Sequence, residues 1–288
     1  MWLRTVLGYG CGITPGCGWG DKLMTPRQLL SHYDTAQLWS RAPGLEPSFD
    51  VVAAYQSALA VRGLRKSRGE MPCGYKIGFT NRNIWPRYNV SSPSWGTVWS
   101  NTLQFCDGQG SVDLSGTCQP RIEPEAVFGL RAAPPLDATL AQLFDCLDWV
   151  APGFEIVQSH LPGWKFTAPD AVADGGLHAR LLVGRQVPVR DVAASAEALE
   201  QQLAAATVSL MQDGTQVEQG HGANVLEGPL HALHYFMQEL RNCPNAPDLQ
   251  AGDVITTGTW TDAWPVSAGQ TWSAQFSAPL SRLDVRFA

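Results

Sequence analysis

Residues 121–128, RIEPEAVF, place two carboxylates one residue apart in an otherwise apolar run. In a β-strand alternate side chains share a face, so Glu123 and Glu125 would project to the same side, about 7 Å apart along the backbone, and their charges would repel. Taken alone, the pair is more typical of a solvated strand face. Pro124 cannot donate to a sheet ladder, which favours an edge or a bulge, where a cavity can open.

A third acid lies in an apolar segment further along the chain. In residues 151–157, APGFEIV, Glu155 stands between large apolar side chains. A charge buried there without a partner costs several kcal/mol. A hard divalent cation would remove that cost, and Mg²⁺ and Mn²⁺ prefer oxygen ligands while keeping open positions for water or a chelating substrate. Three carboxylates therefore suit a site for Mg²⁺ or Mn²⁺.

The length and composition are those of a globular enzyme. The chain has 288 residues, of which 44% are hydrophobic and 16% charged, enough to bury a full core in one large domain or two small ones. The net charge is -6 and no Lys/Arg block occurs, which argues against nucleic acid or an anionic membrane as a partner. A small-molecule substrate is therefore expected.

Apolar runs and cysteines bear on the compartment. No apolar run approaches the length that spans a bilayer, and glycines interrupt the N-terminal segment before the apolar core of a signal peptide can form. The 7 cysteines are scattered, odd in number and without a CxxC motif, so they indicate neither a disulfide framework nor a zinc site. We expect a soluble cytoplasmic protein with reduced thiols.

The first part of the chain is predicted to be helical after a short extension. Residues 1–23 are Gly-rich and aperiodic and are expected to form a loose extension, with Met24 close to the functional start. Thr25-Pro26 is typical of a helix N-terminus. Residues 26–42 and 48–64 have apolar spacing near 3.6 residues and are predicted to be two amphipathic helices.

From Gly74 onward the pattern changes to short β-like runs separated by Gly, Pro or Asp-Gly. These runs are GYKIGF, RIEPEAVFGL, GFEIVQS, ARLLVG, TVSLMQD, DVITTGTW and RLDVRF. Helices are predicted within this part at 137–149, with Asp137 as N-cap, at 195–204 and at 229–241. A predominantly β part with helical insertions, and hence an α+β protein, is expected.

Several ordered motifs resemble a known superfamily. EPEAVF, APGFEIV, FTAPDAVAD, GANVLEGPLHAL and GDVITTGTW, together with GYKIGFT at 74–80, resemble the fumarylacetoacetate hydrolase superfamily in its 2-keto-4-pentenoate hydratase and 4-oxalocrotonate decarboxylase branch. The resemblance runs from about Thr25 to the C-terminus. It implies an α+β fold in which a helical N-terminal part (24–70) precedes a mixed β-sheet roll that forms the metal-binding catalytic domain (71–288).

The resemblance also implies which residues form the site. One Mg²⁺ or Mn²⁺ is held by an E-x-E pair and a later acid, positions that match Glu123, Glu125 and Glu155, and it binds the 1-carboxylate and 2-oxo oxygens of an α-keto acid. Lys76, in GYKIG, lines the pocket, where a cation could stabilise a dienolate or move a proton. The alternative for Lys76 is a lysine that snorkels from a strand end.

Two further residues match positions of the family. Asp174, in DAVAD, matches a catalytic aspartate, although Gly175-Gly176-Leu177-His178 follow it where the family usually has Asn-Ala-Ser. Asp170 and Asp174 could equally cap turns. Lys165 matches a frequent lysine after tryptophan that either neutralises the acidic site, close to the substrate, or lies on the surface.

A turn, two histidines and a tryptophan-rich segment complete the candidates. The family places Thr257-Gly258-Thr259 against the substrate, where hydroxyl and backbone N–H groups suit a carboxylate. His160 is an open candidate because it follows the third acid closely, whereas His221 is interpreted as a turn residue. The tryptophan-rich segment, interpreted as a loop of which part forms a pocket wall, contains Trp85, Trp95 and Trp99.

The function implied by the resemblance is that of a lyase. A metal-dependent hydratase would add water to a short 2-hydroxy-2,4-dienoate of the 2-oxo-4-pentenoate type, giving a 4-hydroxy-2-oxo acid in the catabolism of aromatic compounds. The alternatives are decarboxylation of an oxalocrotonate-like diacid, hydrolysis of a C–C bond in an acylpyruvate, and a non-catalytic ligand-binding relative. Hydrolysis is disfavoured because no matching His-x-x-Glu pair occurs: Tyr33-Asp34-Thr35 follow His32. A homo-oligomer is expected.

Overall fold

A computed structural model describes residues 24–288 apart from positions 41, 43, 45 and 47, so the prediction for residues 1–23 lies outside the described residues. The helices are α1 (Pro26–Thr35), α2 (Val51–Ser67), α3 (Trp85–Tyr88), α4 (Leu140–Cys146), α5 (Ala168–Ala173), α6 (Val189–Val192), α7 (Ala196–Ala205) and α8 (Pro229–Asn242). The strands are β1 (Pro72–Gly78), β2 (Ser94–Trp99), β3 (Leu103–Phe105), β4 (Gln109–Val112), β5 (Arg121–Leu130), β6 (Leu147–Val157), β7 (His178–Val183), β8 (Val187–Pro188), β9 (Thr207–Gln212), β10 (Thr215–His221), β11 (Val254–Thr259), β12 (Trp264–Pro265), β13 (Thr271–Phe276) and β14 (Leu283–Phe287).

The strands of the described chain form two mixed sheets. The larger has the order β2-β1-β11-β5-β6-β7-β3, with β12 beside β5 and β8 beside β6, and the smaller has the order β10-β9-β13-β14-β4. Most neighbours are antiparallel, while β1 with β11, β3 with β7 and β14 with β4 run parallel. The predicted α+β class with mixed sheets is confirmed, and each of the seven predicted β runs overlaps a strand.

Local signals explain where the helices begin. Thr25 caps α1 through a capping box with Gln28, a motif that satisfies two otherwise unpaired backbone donors. The helix ends before Ala36, which is left-handed, so the predicted helix 26–42 was too long. Asp137 was wrong as the N-cap of α4, because Thr139 accepts the N3 amide of that helix and forms the capping box instead.

The tryptophan-rich segment contains regular elements rather than a loop. Trp85 begins α3, and Ser94–Trp99 form β2, which pairs antiparallel with β1. Trp95 and Trp99 are each 3% exposed and belong to the packed interior. Large aromatic side chains bury much apolar area, and these two fill the core.

The helical part and the β part share one core. Buried side chains of α1 and α2, including Leu29 and Tyr55, belong to the same apolar cluster as Phe128 of β5 and Phe236 of α8. The boundary predicted between residues 70 and 71 falls between α2 and β1, and the division into two parts stays a prediction. Strand β5 lies in the middle of the larger sheet, which brings RIEPEAVF into the interior.

Pro124 lies where the ladder is interrupted. Its strand is central, not at an edge, but the register of β11 against β5 shifts between Thr256 and Thr259. Beyond the shift, the Trp260 N–H donates to the Pro124 carbonyl at 3.0 Å. A proline has no N–H to contribute to a regular ladder. Of the two positions expected for Pro124, an edge or a bulge, the structure has the bulge, and this break in the ladder lies beside Glu123 and Glu125.

Candidate metal centre and active site

The register of two neighbouring strands brings the three acids together. Glu123 of β5 is paired directly with Glu155 of β6, and Glu125 is paired with Gly153. Directly opposite side chains have Cβ atoms about 5 Å apart, and like charges there are destabilising. One oxygen from each of Glu123, Glu125 and Glu155 can be chosen so that all lie within 4.8 Å of one another.

Burial makes this arrangement costly without a cation. Glu125 and Glu155 are both 0% exposed, and Glu123 is half-buried at the wall of a cavity. Glu125 Oε1 and Glu155 Oε2 have no hydrogen-bond partner. Buried polar atoms without partners are rare in folded proteins and call for an explanation such as an ion. Three hard carboxylates, two of them with an unpartnered buried oxygen, fit a divalent cation of the Mg²⁺ type.

The electrostatics of the three acids lead to the same conclusion. Burial raises the pKa of the Glu123 carboxyl to about 7, with Lys76 opposing the rise and Glu155 adding to it. Burial, and next the charges of Glu155 and Glu123, raise the pKa of Glu125 well above its usual value. Without a cation, therefore, the fold favours protonation of Glu123 and Glu125, because it holds several negative charges away from water.

Lys76 lies against the third acid. Strand β1 carries its side chain into the interior, where it is 4% exposed, and Nζ lies 3.2 Å from Glu155 Oε2. The contact is a buried ion pair. Burial lowers the pKa of Lys76, but Glu155 and the two other acids outweigh burial and raise it above its ordinary value. Lys76 is therefore a buried ammonium, not a snorkelling surface lysine.

Gly258 orients the second acid. Its backbone N–H donates to Glu125 Oε2 at 2.7 Å, a bond that becomes stronger when the carboxylate is ionised. The φ angle is +100°, and a Cβ at this position would lie 2.0 Å from Thr80 Oγ1. Glycine is thus required both by the backbone conformation and by the close approach of Thr80.

A cavity of about 300 Å³ opens beside the acids. Lys76, Glu123, Gly258 and Thr259 line one part of it. Aromatic side chains line much of the remainder, and they are Phe79, Tyr88, Trp164, Phe166 and Trp260. A charged region next to an aromatic wall suits a small organic anion with an unsaturated or apolar chain.

Asp174 and His160 form a separate pair. Asp174 Oδ1 lies 2.6 Å from His160 Nδ1, and Asp174 Oδ2 accepts the His160 N–H at 2.9 Å. Burial raises the pKa of Asp174, and His160 opposes the rise. Asp174 lines a second cavity of about 50 Å³, between α1, α2 and β2, and does not line the cavity beside the acids. The chain thus turns this aspartate toward a histidine neighbour.

Other predicted site residues lie away from this cavity. Lys165 is exposed and does not line it. Thr257 is 0% exposed, and its hydroxyl donates to the Ala126 carbonyl at 2.8 Å. His221 ends β10 and lines neither cavity. Trp95 and Trp99 line the smaller cavity rather than the one beside the acids.

Two residues near the acids escaped prediction from the sequence. His178 Nδ1 lies 2.9 Å from Glu155 Oε1, and Arg121 lines the cavity with its guanidinium carbon 4.3 Å from the centroid of the Trp164 ring. His178 lies in the segment that departs from the family motif, and Arg121 begins the RIEPEAVF stretch itself. Neither position carries a local pattern that indicates its contacts, since both depend on the pairing of distant segments.

The fold and the site together define a cluster of three carboxylates that could hold a metal ion, beside a cavity with a charged region and an aromatic wall. Over 227 residues the chain is 30% identical to 2-hydroxyhexa-2,4-dienoate hydratase of Comamonas testosteroni, covering 77% of this chain and 81% of that protein. Over 246 residues it is 28% identical to a 4-oxalocrotonate decarboxylase of a Pseudomonas species, covering 84% and 90%. No family model matches the chain.

The chain belongs to the 2-keto-4-pentenoate hydratase and 4-oxalocrotonate decarboxylase branch of the fumarylacetoacetate hydrolase superfamily. Its fold is similar to that of 4-oxalocrotonate decarboxylase from Pseudomonas putida G7, solved with magnesium and adipate, with a TM-score of 0.81 at 24% identity over 91% of this chain and 95% of that one. The predicted enzyme class, a lyase of the hydratase type, is confirmed by these relatives. No helix among the described residues is both long and apolar enough to cross a membrane.

Proposed function

We propose that the protein is a metal-dependent hydratase that adds water to a short 2-hydroxy-2,4-dienoate, giving a 4-hydroxy-2-oxo acid in the catabolism of aromatic compounds. The observation that carries the proposal is the convergence of Glu123, Glu125 and Glu155, with unpartnered buried oxygens, beside Lys76. Relatives named as hydratases support the choice of reaction.

The three acids would hold Mg²⁺ or Mn²⁺. The donor set is made of hard oxygens, which both ions prefer. When bound, the cation would supply a Lewis acid for the carboxylate and 2-oxygen of the substrate. The Gly258 N–H holds the Glu125 carboxylate in place at 2.7 Å, so that the ligand is oriented before any cation arrives.

The chemistry sets what the side chains must do. A hydroxyl at C4 of the product requires an electrophilic C4, hence a C3=C4 double bond conjugated with a 2-oxo group. The 2-hydroxyl of the dienol must lose its proton, C5 must gain one, and water then adds at C4 with a proton to C3. Lys76 Nζ, a buried ammonium, stabilises the negative charge that develops on the substrate in these steps, and it can donate a proton and regain it later in the cycle.

The cavity supplies binding contacts for the rest of the substrate. Gly258 and Thr259 line it next to the acids and are proposed to border the substrate carboxylate. The aromatic wall packs against the unsaturated chain and limits bulk solvent around it, which strengthens the electrostatic contribution of Lys76 while leaving the cavity open to the reacting water. We propose that Asp174 has an indirect role. Its contact with His160 would fix the loop whose residues Gly176 and Leu177 line the cavity.

A second candidate activity is decarboxylation of an oxalocrotonate-like diacid. Arg87 and Arg121 both line the cavity, and a guanidinium is suited to a second carboxylate at the far end of such a substrate. The acidic side chains of Glu218 and Asp262 line the same cavity and oppose a second negative charge. This balance favours the monoacid and hence the hydratase.

A substrate panel tests the proposal. The protein, freed of metal and then supplied with Mg²⁺, is incubated with 2-hydroxypenta-2,4-dienoate, 2-hydroxyhexa-2,4-dienoate and 4-oxalocrotonate. Loss of the dienoate absorbance with formation of a 4-hydroxy-2-oxo acid supports the hydratase. Release of CO₂ from 4-oxalocrotonate with no turnover of the monoacids supports the decarboxylase instead, and no reaction with any member of the panel contradicts both.

We further propose a cytoplasmic homo-oligomer whose partner is a small acid rather than nucleic acid. The net charge of -6 supports the second point, because an acidic chain repels a polyphosphate. Size-exclusion chromatography with light scattering measures the assembly, and a monomer at micromolar concentration contradicts it.

A further inference from the structure

Glu155 faces a different partner at each carboxylate oxygen. Lys76 Nζ lies 3.2 Å from Oε2, and His178 Nδ1 lies 2.9 Å from Oε1. His178 is 3% exposed and has no part in the reaction described above. It lines the smaller cavity, whereas Lys76 lines the larger one, so the two partners approach Glu155 from different cavities.

A strand irregularity directs His178 toward the acid. Glu155 is paired with Leu181 of β7, and the register shifts near the start of that strand, where Ile156 pairs with Arg180 and Val157 with His178. In a regular strand His178 and Leu181, three positions apart, would point to opposite faces. A bulge breaks the alternation and re-aims a side chain, and here it turns the imidazole onto the face of Glu155.

The other ring nitrogen is held by a buried hydroxyl. His178 Nε2 lies 2.8 Å from Thr102 Oγ1, and Thr102 is 6% exposed. The hydroxyl also lies 3.0 Å from the Trp99 carbonyl, but that carbonyl already accepts the Thr102 N–H at 2.9 Å. The single hydroxyl proton is therefore available to His178 without leaving the carbonyl unpaired.

The proton assignment follows from what Glu155 requires. If the hydroxyl proton pointed to Trp99, Nε2 would carry the ring proton, and a bare Nδ1 would face a carboxylate oxygen at 2.9 Å. Two acceptors at that distance repel. The arrangement that avoids the repulsion has the Thr102 hydroxyl donating to Nε2 and Nδ1–H donating to Glu155 Oε1.

We propose that His178 is a positioning residue for the metal ligand Glu155. Held at Nε2 by Thr102, its ring donates from Nδ1 to Oε1, so that Oε2, the oxygen on the side of Lys76, is left to bind the cation. The inference rests on the proposed metal-dependent function. A carboxylate that keeps one orientation loses less freedom on binding, and partners of this kind change metal affinity by about 10–100-fold when removed.

Metal affinity of matched variants tests the proposal without measuring turnover. Titration calorimetry with Mn²⁺ is carried out on the wild type, His178→Ala, His178→Gln and His178→Asn. The asparagine amide can reach the position of Nδ1–H, whereas the longer glutamine amide reaches that of Nε2. We expect a loss of about 10–100-fold in affinity for the alanine and glutamine variants and recovery of most of it with asparagine. His234→Ala, at a histidine that contacts the Ala138 carbonyl, is the control and keeps wild-type affinity.

A second measurement remains informative if the alanine variant fails to fold. Nitrogen NMR of histidine-labelled wild type, with the His178 signal assigned through His178→Asn, reports which ring nitrogen is protonated. We expect the Nδ1–H form in metal-free protein and a changed shift of the same form on addition of Mg²⁺. In Thr102→Val, which removes the hydroxyl at nearly constant volume, the signal is expected to broaden or move, and Mn²⁺ affinity is expected to fall in the same direction as for His178→Ala.

The outcomes separate this inference from the proposed function. Wild type that binds no Mn²⁺ contradicts the metal centre itself. Wild type that binds Mn²⁺, with a folded His178→Ala of equal affinity or with His178 in the Nε2–H form, contradicts the positioning role alone. Loss of affinity that asparagine does not restore assigns His178 to packing, which also overturns the proposal.

Discussion

Replacing Glu125 by Gln separates the cost of the acids from the benefit of the metal. The three carboxylates have ligand oxygens within 4.8 Å of one another, so a single ionised pair at that distance repels by about 3 kcal/mol at an effective dielectric constant near 20. Protonation relieves the repulsion, but holding a proton at pH 7 on a group whose ordinary pKa is 4.5 also costs about 3 kcal/mol. By either route the neutral amide removes up to about 3 kcal/mol of destabilisation.

The wild type is expected to gain a comparable amount from the cation. A ligand present at about 100 times its Kd stabilises the folded state by about 2.7 kcal/mol, and each kcal/mol shifts the Tm of a chain of this size by about 2–4 °C. Metal-free Glu125→Gln should therefore melt up to about 10 °C above metal-free wild type. Mg²⁺ should raise the Tm of the wild type by about 5–10 °C. It should hardly change the Tm of the variant, because a neutral amide is a poor ligand for a hard cation.

Differential scanning calorimetry at pH 7, with chelator and then with excess Mg²⁺, measures all four melting temperatures. Glu125→Asp keeps the charge on a shorter side chain, and Glu197→Gln removes an exposed acid of α7. The Glu197 variant should retain the full Mg²⁺ shift. If the wild type shows no shift with Mg²⁺ or Mn²⁺, and Glu125→Gln melts like it under both conditions, the acids hold no cation and the reasoning fails.

Further expectations concern catalysis, pH and the glycine beside the site. Lys76→Ala should lower kcat by about 100-fold or more with a smaller change in KM, because the charge of Lys76 acts mainly in the transition state. Steady-state kinetics measure both constants, with Lys66→Ala, at an exposed lysine, as the control. A raised KM at constant kcat would instead make Lys76 an anchor for the substrate carboxylate. In metal-free protein the pKa of Glu123 is raised to about 7, so the stability gained by protonating this acid is complete below its ordinary pKa near 4.5 and is lost as the pH rises through 7. The Tm should therefore fall across this range with chelator and stay level with Mg²⁺. A fall of equal size with Mg²⁺ would contradict the assignment. Gly258→Ala should abolish most metal binding, since its Cβ would collide with Thr80; calorimetry with Mn²⁺ checks this, and unaltered binding would show that the turn can relax. Deleting residues 1–23 should leave the Tm and activity nearly unchanged, because the Gly-rich segment lacks apolar periodicity; a large loss of stability would show that it is docked.

Local patterns in the sequence were enough to predict several parts of the site. Alternation along an extended chain placed Glu123 and Glu125 on one face, and the apolar neighbours of Glu155 indicated burial, as observed. The Thr25-Pro26 pair located the start of α1. These predictions succeed because side-chain alternation and helix capping depend on a few consecutive residues.

Other features depend on how distant segments pair, which only the tertiary structure decided. The direct pairing of Glu123 with Glu155 comes from the register of β5 against β6. The turn of His178 toward Glu155 comes from a shift in register, and the pairing of Asp174 with His160 comes from the path of the loop around α5. A one-residue change in register exchanges the two faces of a strand, and no short stretch of sequence specifies that register. The sequence by itself therefore determined which residues can bind a cation and a small acid, whereas the packing of the whole sheet determined which of them meet.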